Sequence, residues 1–321
     1  MSQSLETGTA RVCCLCRSPV DGAEPTCAEC GGMVLDVEND PLVGTKFACH
    51  YQIESIAGFG ASSIVYKATH TKLARPFAVK VMHAHLLTDD QMRGRFDQEA
   101  RACASLNDPN IVAVQESGIT DEGRVYFAME YLQGVTLEQI LDSEGAQPID
   151  RSVKIFKQIC CGLAHAHGNG VLHRDLKPSN ILIFNEDGKE RAKILDFGLA
   201  KVLDNVKKGG PKLTLAGEVC GTPSVMSPEG CLGKTIDQRS DIYSLGCLMY
   251  ETLSGLPPFI GDTTIATMTK HVMEKPPEFE TIDADLRIPW SLTSIIFRCL
   301  EKDPDMRFQT IQEVHECLSQ F

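Results

Sequence analysis

The sequence predicts an α+β protein in which a strand-rich segment precedes a longer helix-rich one, with a small cysteine-stapled module in front. Three observations carry that expectation. Short apolar runs bounded by turn residues follow Tyr51, apolar residues at helical spacing dominate the later chain, and two Cys-x-x-Cys pairs stand near the N-terminus.

Residues 1–32 are rich in Cys, Gly and polar side chains, so hydrophobic burial alone cannot build them a core and a staple is needed. Cys13-x-x-Cys16, ten residues, then Cys27-x-x-Cys30 followed by Gly31-Gly32 reads as a zinc ribbon. Each knuckle presents two thiolates, four sulfurs complete a tetrahedron, and the glycines let backbone N–H groups face sulfur. Cys14 competes with Cys13, but only Cys13 gives the two-residue gap to Cys16; a redox pair is the alternative. A closed four-thiolate site makes the zinc structural. Two basic and four acidic side chains in this stretch favour a regulatory protein as its partner. Residues 33–47 read as a linker turning at Asn39-Asp40-Pro41.

Strands are expected over 51–56, 64–69, 77–82, 111–116 and 125–130. One helix interrupts them over 89–106, where Met92, Phe96 and Cys103 share a face and Asn107-Asp108-Pro109 is the stop. Glu99, three residues after Phe96 and four before Cys103, turns inward on that helix. Val153, Phe156, Ile159 and Leu163 form the stripe of a later helix capped by Asp150 or Ser152. Another begins at Ser240-Asp241 and ends at Gly255; apolar residues spread around its axis, which predicts a buried, central helix.

The 321 residues carry a formal charge of −12, which disfavours nucleic acid and anionic lipid alike, and neither is an expected partner. No apolar run reaches the about 18 residues that a membrane-crossing helix needs. The start, Met1-Ser2-Gln3-Ser4-Leu5-Glu6, lacks the charge and apolar core of a secretory signal. Nine of the 14 cysteines lie in apolar segments, as Cys160 and Cys161 do, where free thiols act as small hydrophobes; a cytoplasmic location is expected.

Chemistry concentrates in His173-Arg174-Asp175-Leu176-Lys177-Pro178-Ser179-Asn180 and in Asp196-Phe197-Gly198. This spacing can aim one carboxylate at a hydroxyl and two oxygen ligands at magnesium, the layout that phosphoryl transfer requires. On these strings the chain resembles the protein kinases, specifically the bacterial eukaryotic-like (Hanks-type) serine/threonine class. The resemblance implies a bilobal fold, with an antiparallel-sheet N-lobe plus one helix at 48–131 and a helical C-lobe at 132–321, behind the ribbon (1–32) and linker (33–47).

Gly58-Phe59-Gly60-Ala61-Ser62-Ser63-Ile64-Val65 joins the first two strands, where glycine lets backbone approach phosphates; Ser63 replaces the family's third glycine. Lys80, flanked by Phe77, Ala78, Val79 and Val81, needs an anionic partner, and Glu99 is the candidate. By resemblance this pair holds the α- and β-phosphates of ATP, Glu130 and Leu132 offer backbone groups to adenine, Met129 is the gatekeeper, and Val65, Ala78 and Leu182 sandwich the ring. These apolar residues read equally well as plain core.

The resemblance makes Asp175 the base, Asn180 and Asp196 the ligands of Mg²⁺ or Mn²⁺, and Lys177 the cation beside the γ-phosphate, its position being typical of the Ser/Thr class. Cys220-Gly221-Thr222-Pro223-Ser224-Val225-Met226-Ser227-Pro228-Glu229 resembles the end of a protein-kinase activation segment, which small-molecule phosphotransferases lack. It implies bonds from Thr222 to Asp175 and Lys177 and an ion pair between Glu229 and Arg307. Val225 stands where the family usually has tyrosine, which is expected to loosen the substrate platform. Arg174 and Lys201 would receive an activation-loop phosphate; Glu218 stands where relatives often carry it, and Thr214 is an expected autophosphorylation site, a surface role for Glu218 being the alternative. His83, His85, His165 and His167 are expected at strand-end or helix surfaces.

The expectation is a signalling Ser/Thr kinase that uses ATP, acts on protein substrates and autophosphorylates through a transient homodimer. The competing reading is a pseudokinase, which the presence of Lys80, Glu99, Asp175, Asn180 and Asp196 disfavours.

Overall fold

The computed structural model describes residues 11–60, 63–83, 100–197, 222–283 and 286–321. The chain divides into two compact units, one built from Gln3–Asp97 and Ala113–Leu132, the other from Gln98–Val112 and Gln133–Phe321.

In the strand-rich unit, β1 (Arg11–Cys13) and β2 (Val34–Asp36) pair as an antiparallel hairpin. Next come β3 (Lys46–Phe47), β4 (Tyr51–Gly60), β5 (Ser63–His70), β6 (Arg75–Met82), β7 (Val114–Ile119) and β8 (Val125–Glu130), in one antiparallel sheet of order β3-β4-β5-β6-β8-β7. Side chains alternate across a strand, so ladder partners identify faces. Val65, Lys80 and Phe127 lie in one row and share a face; Tyr66, Val79 and Ala128 share the other. That second face is buried in an apolar cluster to which Val12, Cys14 and Leu35 of the hairpin also belong. The ribbon therefore packs on the sheet, and the stretch read as a linker takes part: β2 and β3 lie within it, and the buried Asp40 accepts the Tyr66 hydroxyl at 3.0 Å.

In the other unit, β9 (Gly134–Thr136), β10 (Ile181–Glu186) and β11 (Lys189–Ile194) form a sheet of order β11-β10-β9. The helices of eight residues or more among the described residues are α1 (Leu137–Glu144), α2 (Ile149–Gly168), α3 (Gln238–Ser254), α4 (Thr264–Met273), α5 (Trp290–Cys299) and α6 (Ile311–Leu318). On α3, residues buried all around the axis, from Ile242 and Tyr243 to Leu253, make it the core helix that its sequence predicts. Its N-cap is Asp237, whose side chain accepts from the Arg239 N–H, and Gly255 closes it at φ 76. The α2 stripe Val153, Phe156, Ile159 and Leu163 is buried, but the helix opens at Pro148, and the Ser152 hydroxyl bonds back to the Pro148 carbonyl at 2.9 Å.

The strand expected over 111–116 starts later, at Val114. Ile111 instead forms a parallel bridge to Ile194, and the Val112 N–H donates to Ile194 O at 3.0 Å, so β11 satisfies this backbone before β7 begins. The helical residues 100–104 are the described part of the helix expected over 89–106. Among the described residues no helix is long and apolar enough to cross a membrane.

A Cβ on Gly246 of α3 would stand 2.8 Å from Cys299 Cβ and 3.1 Å from Leu300 Cδ2. Gly246→Ala is expected to destabilise the fold by about 1–3 kcal/mol through overpacking, read from urea-unfolding midpoints. An unchanged midpoint would contradict this packing.

Candidate active site

The string His173–Asn180 lies between α2 and β10. Pro178–Asn180 is a single turn of 3₁₀ helix, which brings Asn180 back over Asp175: its Nδ2 donates to the Asp175 carbonyl at 2.7 Å and stands 3.4 Å from Asp175 Oδ2. Lys177 Nζ lies 2.8 Å from the same Oδ2 and 2.5 Å from Thr222 Oγ1. Thr222 thus reaches Asp175 through Lys177. Asp175 Oδ1 is buried with no hydrogen-bond partner among the described residues. The Leu195 N–H donates to Asn180 O at 2.8 Å, tying the residue before Asp196 to the same loop. Asp196 itself has a φ of 62, a left-handed conformation that costs a non-glycine residue about 1 kcal/mol or more. Around it, His173 Nε2 bonds Leu195 O at 2.8 Å, the His173 ring packs edge-on against Phe197 at 4.8 Å, and the Cys103 thiol donates to Phe197 O.

The residue that sequence reasoning missed is Asp241, which is 1% exposed. Its Oδ1 accepts the Arg174 N–H at 2.8 Å, and its Oδ2 accepts the His173 N–H at 2.9 Å and faces His167 Nε2 at 2.8 Å. Burial pushes this carboxyl up, but the bond and charge of His167, the charge of His173 and the Arg174 N–H outweigh it and hold Asp241 below the usual carboxylate value. His167 is therefore no surface residue: its side chain is 4% exposed. His83 is also buried, with Nε2 3.2 Å from Gly60 O, whereas the His165 ring accepts the Asn107 N–H at an exposed helix end. Asp241 was read as a helix start; the usable signal is a carboxylate inside a helix apolar on all sides, which needs buried donors.

Glu229 and Arg307 meet as the resemblance implies. Arg307, 1% exposed, places NH1 and NH2 at 2.8 Å from Glu229 Oε1 and Oε2, and its remaining donors reach the carbonyls of Arg239, Glu301 and Lys302. The Ser240 hydroxyl donates to Glu229 Oε1 at 2.6 Å. Val225 is buried in the core, and its carbonyl accepts the Ser244 hydroxyl at 2.8 Å, so packing and a fixed backbone stand where the family has a tyrosine ring. Arg174 has a φ of 70 and a buried Nε with no hydrogen-bond partner among the described residues.

In the strand-rich unit, the β4–β5 hairpin pairs Gly58 with Val65, Phe59 with Ile64 and Gly60 with the buried Ser63. A Cβ on Gly58 or Gly60 would meet nothing within 4 Å, so internal packing does not explain either glycine. Lys80 is buried in the same row as Val65, and Ala78 pairs with Met129. Glu130 fixes the end of β8: its N–H donates to Ala113 O and its Oε1 accepts the Ala113 N–H at 2.9 Å. Leu132 closes this unit, and Leu182 lies on β10 of the other, opposite Thr136 and Lys193. Ala61, Ser62, Glu99, Lys201, Thr214 and Glu218 lie outside the described residues, as does His85.

The sulfurs of Cys13, Cys16, Cys27 and Cys30 all lie within 4.8 Å of one another. The two knuckles repeat one geometry: Arg17 N–H to Cys13 O at 3.0 Å with Arg17 at φ 60, and Gly31 N–H to Cys27 O at 2.8 Å with Gly31 at φ 72. The Leu15 N–H points at Cys13 Sγ, 3.4 Å away, and a Cβ on Gly32 would stand 2.9 Å from that sulfur. Tetrahedral zinc, with Zn–S bonds of about 2.3 Å, sets sulfurs about 3.8 Å apart, and the set fits it. Cys14 instead lies in the apolar cluster, where burial pushes its thiol up to about 11.

The model of the protein kinase domain matches residues 51–319, and the chain belongs to that family. It is 40% identical over 268 residues to serine/threonine-protein kinase pkn3 of Myxococcus xanthus, covering 83% of this chain and 49% of that protein. It is 40% identical over 267 residues to serine/threonine-protein kinase PknB of Mycolicibacterium smegmatis, covering 82% and 41%. The chain thus spans half the length, or less, of these curated relatives. The crystal structure of the Mycobacterium tuberculosis PknI kinase domain matches with a TM-score of 0.67 at 26% identity, over 86% of this chain and 98% of that one. These likenesses bear out the bacterial Hanks-type fold that the two catalytic strings imply.

Burial pushes the Glu229 carboxyl up, but the Arg307 and Ser240 hydrogen bonds and the Arg307 charge prevail and lower it. A carboxyl lowered on folding adds stability above its unfolded pKa and loses it as pH falls through the folded one. Glu229→Gln, which strands a buried guanidinium, is expected to cost roughly 3 kcal/mol at neutral pH. Thermal melts of both forms should differ most near neutrality and converge in acid; a pH-independent difference would contradict the assignment.

Proposed function

We propose that this chain is a serine/threonine protein kinase that transfers the γ-phosphate of ATP to protein hydroxyls, its own included. The observation that carries the reading is the Asp175 carboxylate: Oδ2 is held by Lys177, and the unpartnered Oδ1 suits an incoming hydroxyl as proton donor. Asp175 orients that hydroxyl and takes its proton, while Lys177, steadied by Thr222, keeps positive charge beside the transferring group. Asn180 spends its Nδ2 on Asp175, so its Oδ1 and the Asp196 carboxylate form an oxygen donor set suited to a hard cation. Magnesium or manganese, when bound there, neutralises phosphate charge. Gly58 and Gly60 leave their strand backbone open to phosphate oxygens, and the buried Lys80, with Glu99 as partner, supplies a cation on that unit. Val65, Ala78 and Met129 serve the adenine ring, with Glu130 and Leu132 offering backbone groups.

Protein substrates are favoured by the Thr222–Glu229 segment, which Arg307 and Ser244 anchor. The open, buried Nε of Arg174 supports a phosphate-receiving role, with Lys201 beside it and Glu218 or phosphorylated Thr214 as the anion; autophosphorylation then requires a transient homodimer. Cys13, Cys16, Cys27 and Cys30 hold a structural zinc, and a regulatory protein would meet the ribbon at the exposed Leu15 and Met33. A cytoplasmic location suits the free thiols.

Labelled ATP with magnesium, alone and with a generic protein substrate, should label both proteins. Asp175→Asn should cut transfer by about 10²–10⁴-fold while nucleotide affinity persists. Nucleotide binding without transfer by the unaltered chain would mark a pseudokinase. Metal analysis is expected to find one zinc per chain, and its absence would refute the four-thiolate assignment.

A further inference from the structure

We infer that the four-thiolate site is a positioning element of the kinase domain, holding the nucleotide-binding strands β4–β6 in order from the face opposite Lys80. The inference rests on the zinc assignment made above.

Ligand and core positions are adjacent in the chain. Cys13 is a thiolate ligand, while its neighbours Val12 and Cys14 lie in the apolar cluster that buries Tyr66 and Val79 of the sheet. Val12 is the ladder partner of Leu35, so the hairpin presents both to the same cluster. Displacing the Cys13 sulfur therefore displaces side chains of the cluster to which β5 and β6 also contribute. A second tie follows β2: the buried Asp40 accepts the Tyr66 hydroxyl through Oδ2 and the Leu42 N–H through Oδ1. Tyr66 directly follows Val65, whose ladder partner is Lys80. Phe59, between the two open glycines, also packs against the cluster from its edge.

The hairpin cannot hold this place by burial alone. Among its described residues, Val12, Cys14 and Leu35 are the apolar side chains it contributes to the cluster, too few for an independent core, so metal binding supplies most of its folding free energy. Without metal the knuckles lose their crosslink, the hairpin loosens, and one face of the sheet loses its cover. A merely tethered ribbon would leave the strands indifferent to metal.

The test uses the full chain with zinc, after chelation in the presence of a thiol reductant, and after zinc is restored. Amide exchange over β4–β6 and the affinity for a non-hydrolysable adenine nucleotide are measured in each state. Stripping is expected to speed exchange in these strands and weaken nucleotide binding by about tenfold, with protection in α2 and α3 retained and zinc reversing both effects. If the chain binds zinc but neither quantity responds, the positioning role is overturned and the zinc assignment stands; if it binds no zinc, both fall. Asp40→Ala tests the second tie with metal bound. It should raise the KM for ATP several-fold at near-constant kcat, with zinc content unchanged, and Asp40→Asn, whose one acceptor oxygen serves one of the two donors while its Nδ2 can donate to the Tyr66 oxygen, should restore part of the loss. An unchanged KM in Asp40→Ala would remove Asp40 from the proposal.

Discussion

The buried Asp241 carboxylate is the constraint on which the geometry of the His173–Asn180 loop depends. An ionised carboxylate removed from water is costly unless donors surround it, and this one is met by two backbone N–H groups and an imidazole. The two backbone donors belong to His173 and Arg174, immediately before Asp175. Their bonds span 68 and 67 residues of chain, so the central helix α3 dictates the path of a loop distant in sequence. They also hold Arg174 in a left-handed conformation that a non-glycine residue adopts only when its surroundings enforce it. His173 then passes the constraint on, through its ring, to Leu195 and Phe197 on either side of Asp196.

Elsewhere the chain uses the same device of a buried charge with every partner supplied. Arg307 meets Glu229 across 78 residues, and all its side-chain donors find acceptors, so a segment with little apolar surface is fixed to the helical core. In the strand-rich unit, Asp40 plays a smaller version of this part under Tyr66, in the same unit as the four cysteine sulfurs gathered within 4.8 Å of one another. Polar anchors of this kind specify a geometry more narrowly than hydrophobic burial, because loss of one partner leaves the other unsatisfied.

Much of this was legible in the residues. The apolar runs of β5, β6 and β8, the central character of α3 and the spacing of the four cysteines each follow from local chemistry. The His173–Asn180 string stands out in the sequence as a candidate because a hard cation and a proton acceptor require particular side chains at short spacing. Three things were not. The displacement of β7 depends on Ile194, far along the chain, capturing residues 111 and 112. The packing of the ribbon on the sheet leaves no local mark, since Val12 and Leu35 look alike whether buried by a partner or by their own chain. Asp241 and His167 were misplaced because local pattern reports the period of burial and not which distant donor a buried charge will find.

The most direct test follows the Asp241 anchor itself. Amide exchange at His173 and Arg174 can be measured beside the phosphotransfer rate in the unaltered chain and in Asp241→Asn, which keeps the shape but loses the charge. Both amides should exchange faster and the rate should fall roughly a hundredfold, with the core of α3 still protected. Faster exchange at both amides with an undiminished rate would show that the loop does not need this carboxylate, and would contradict the account.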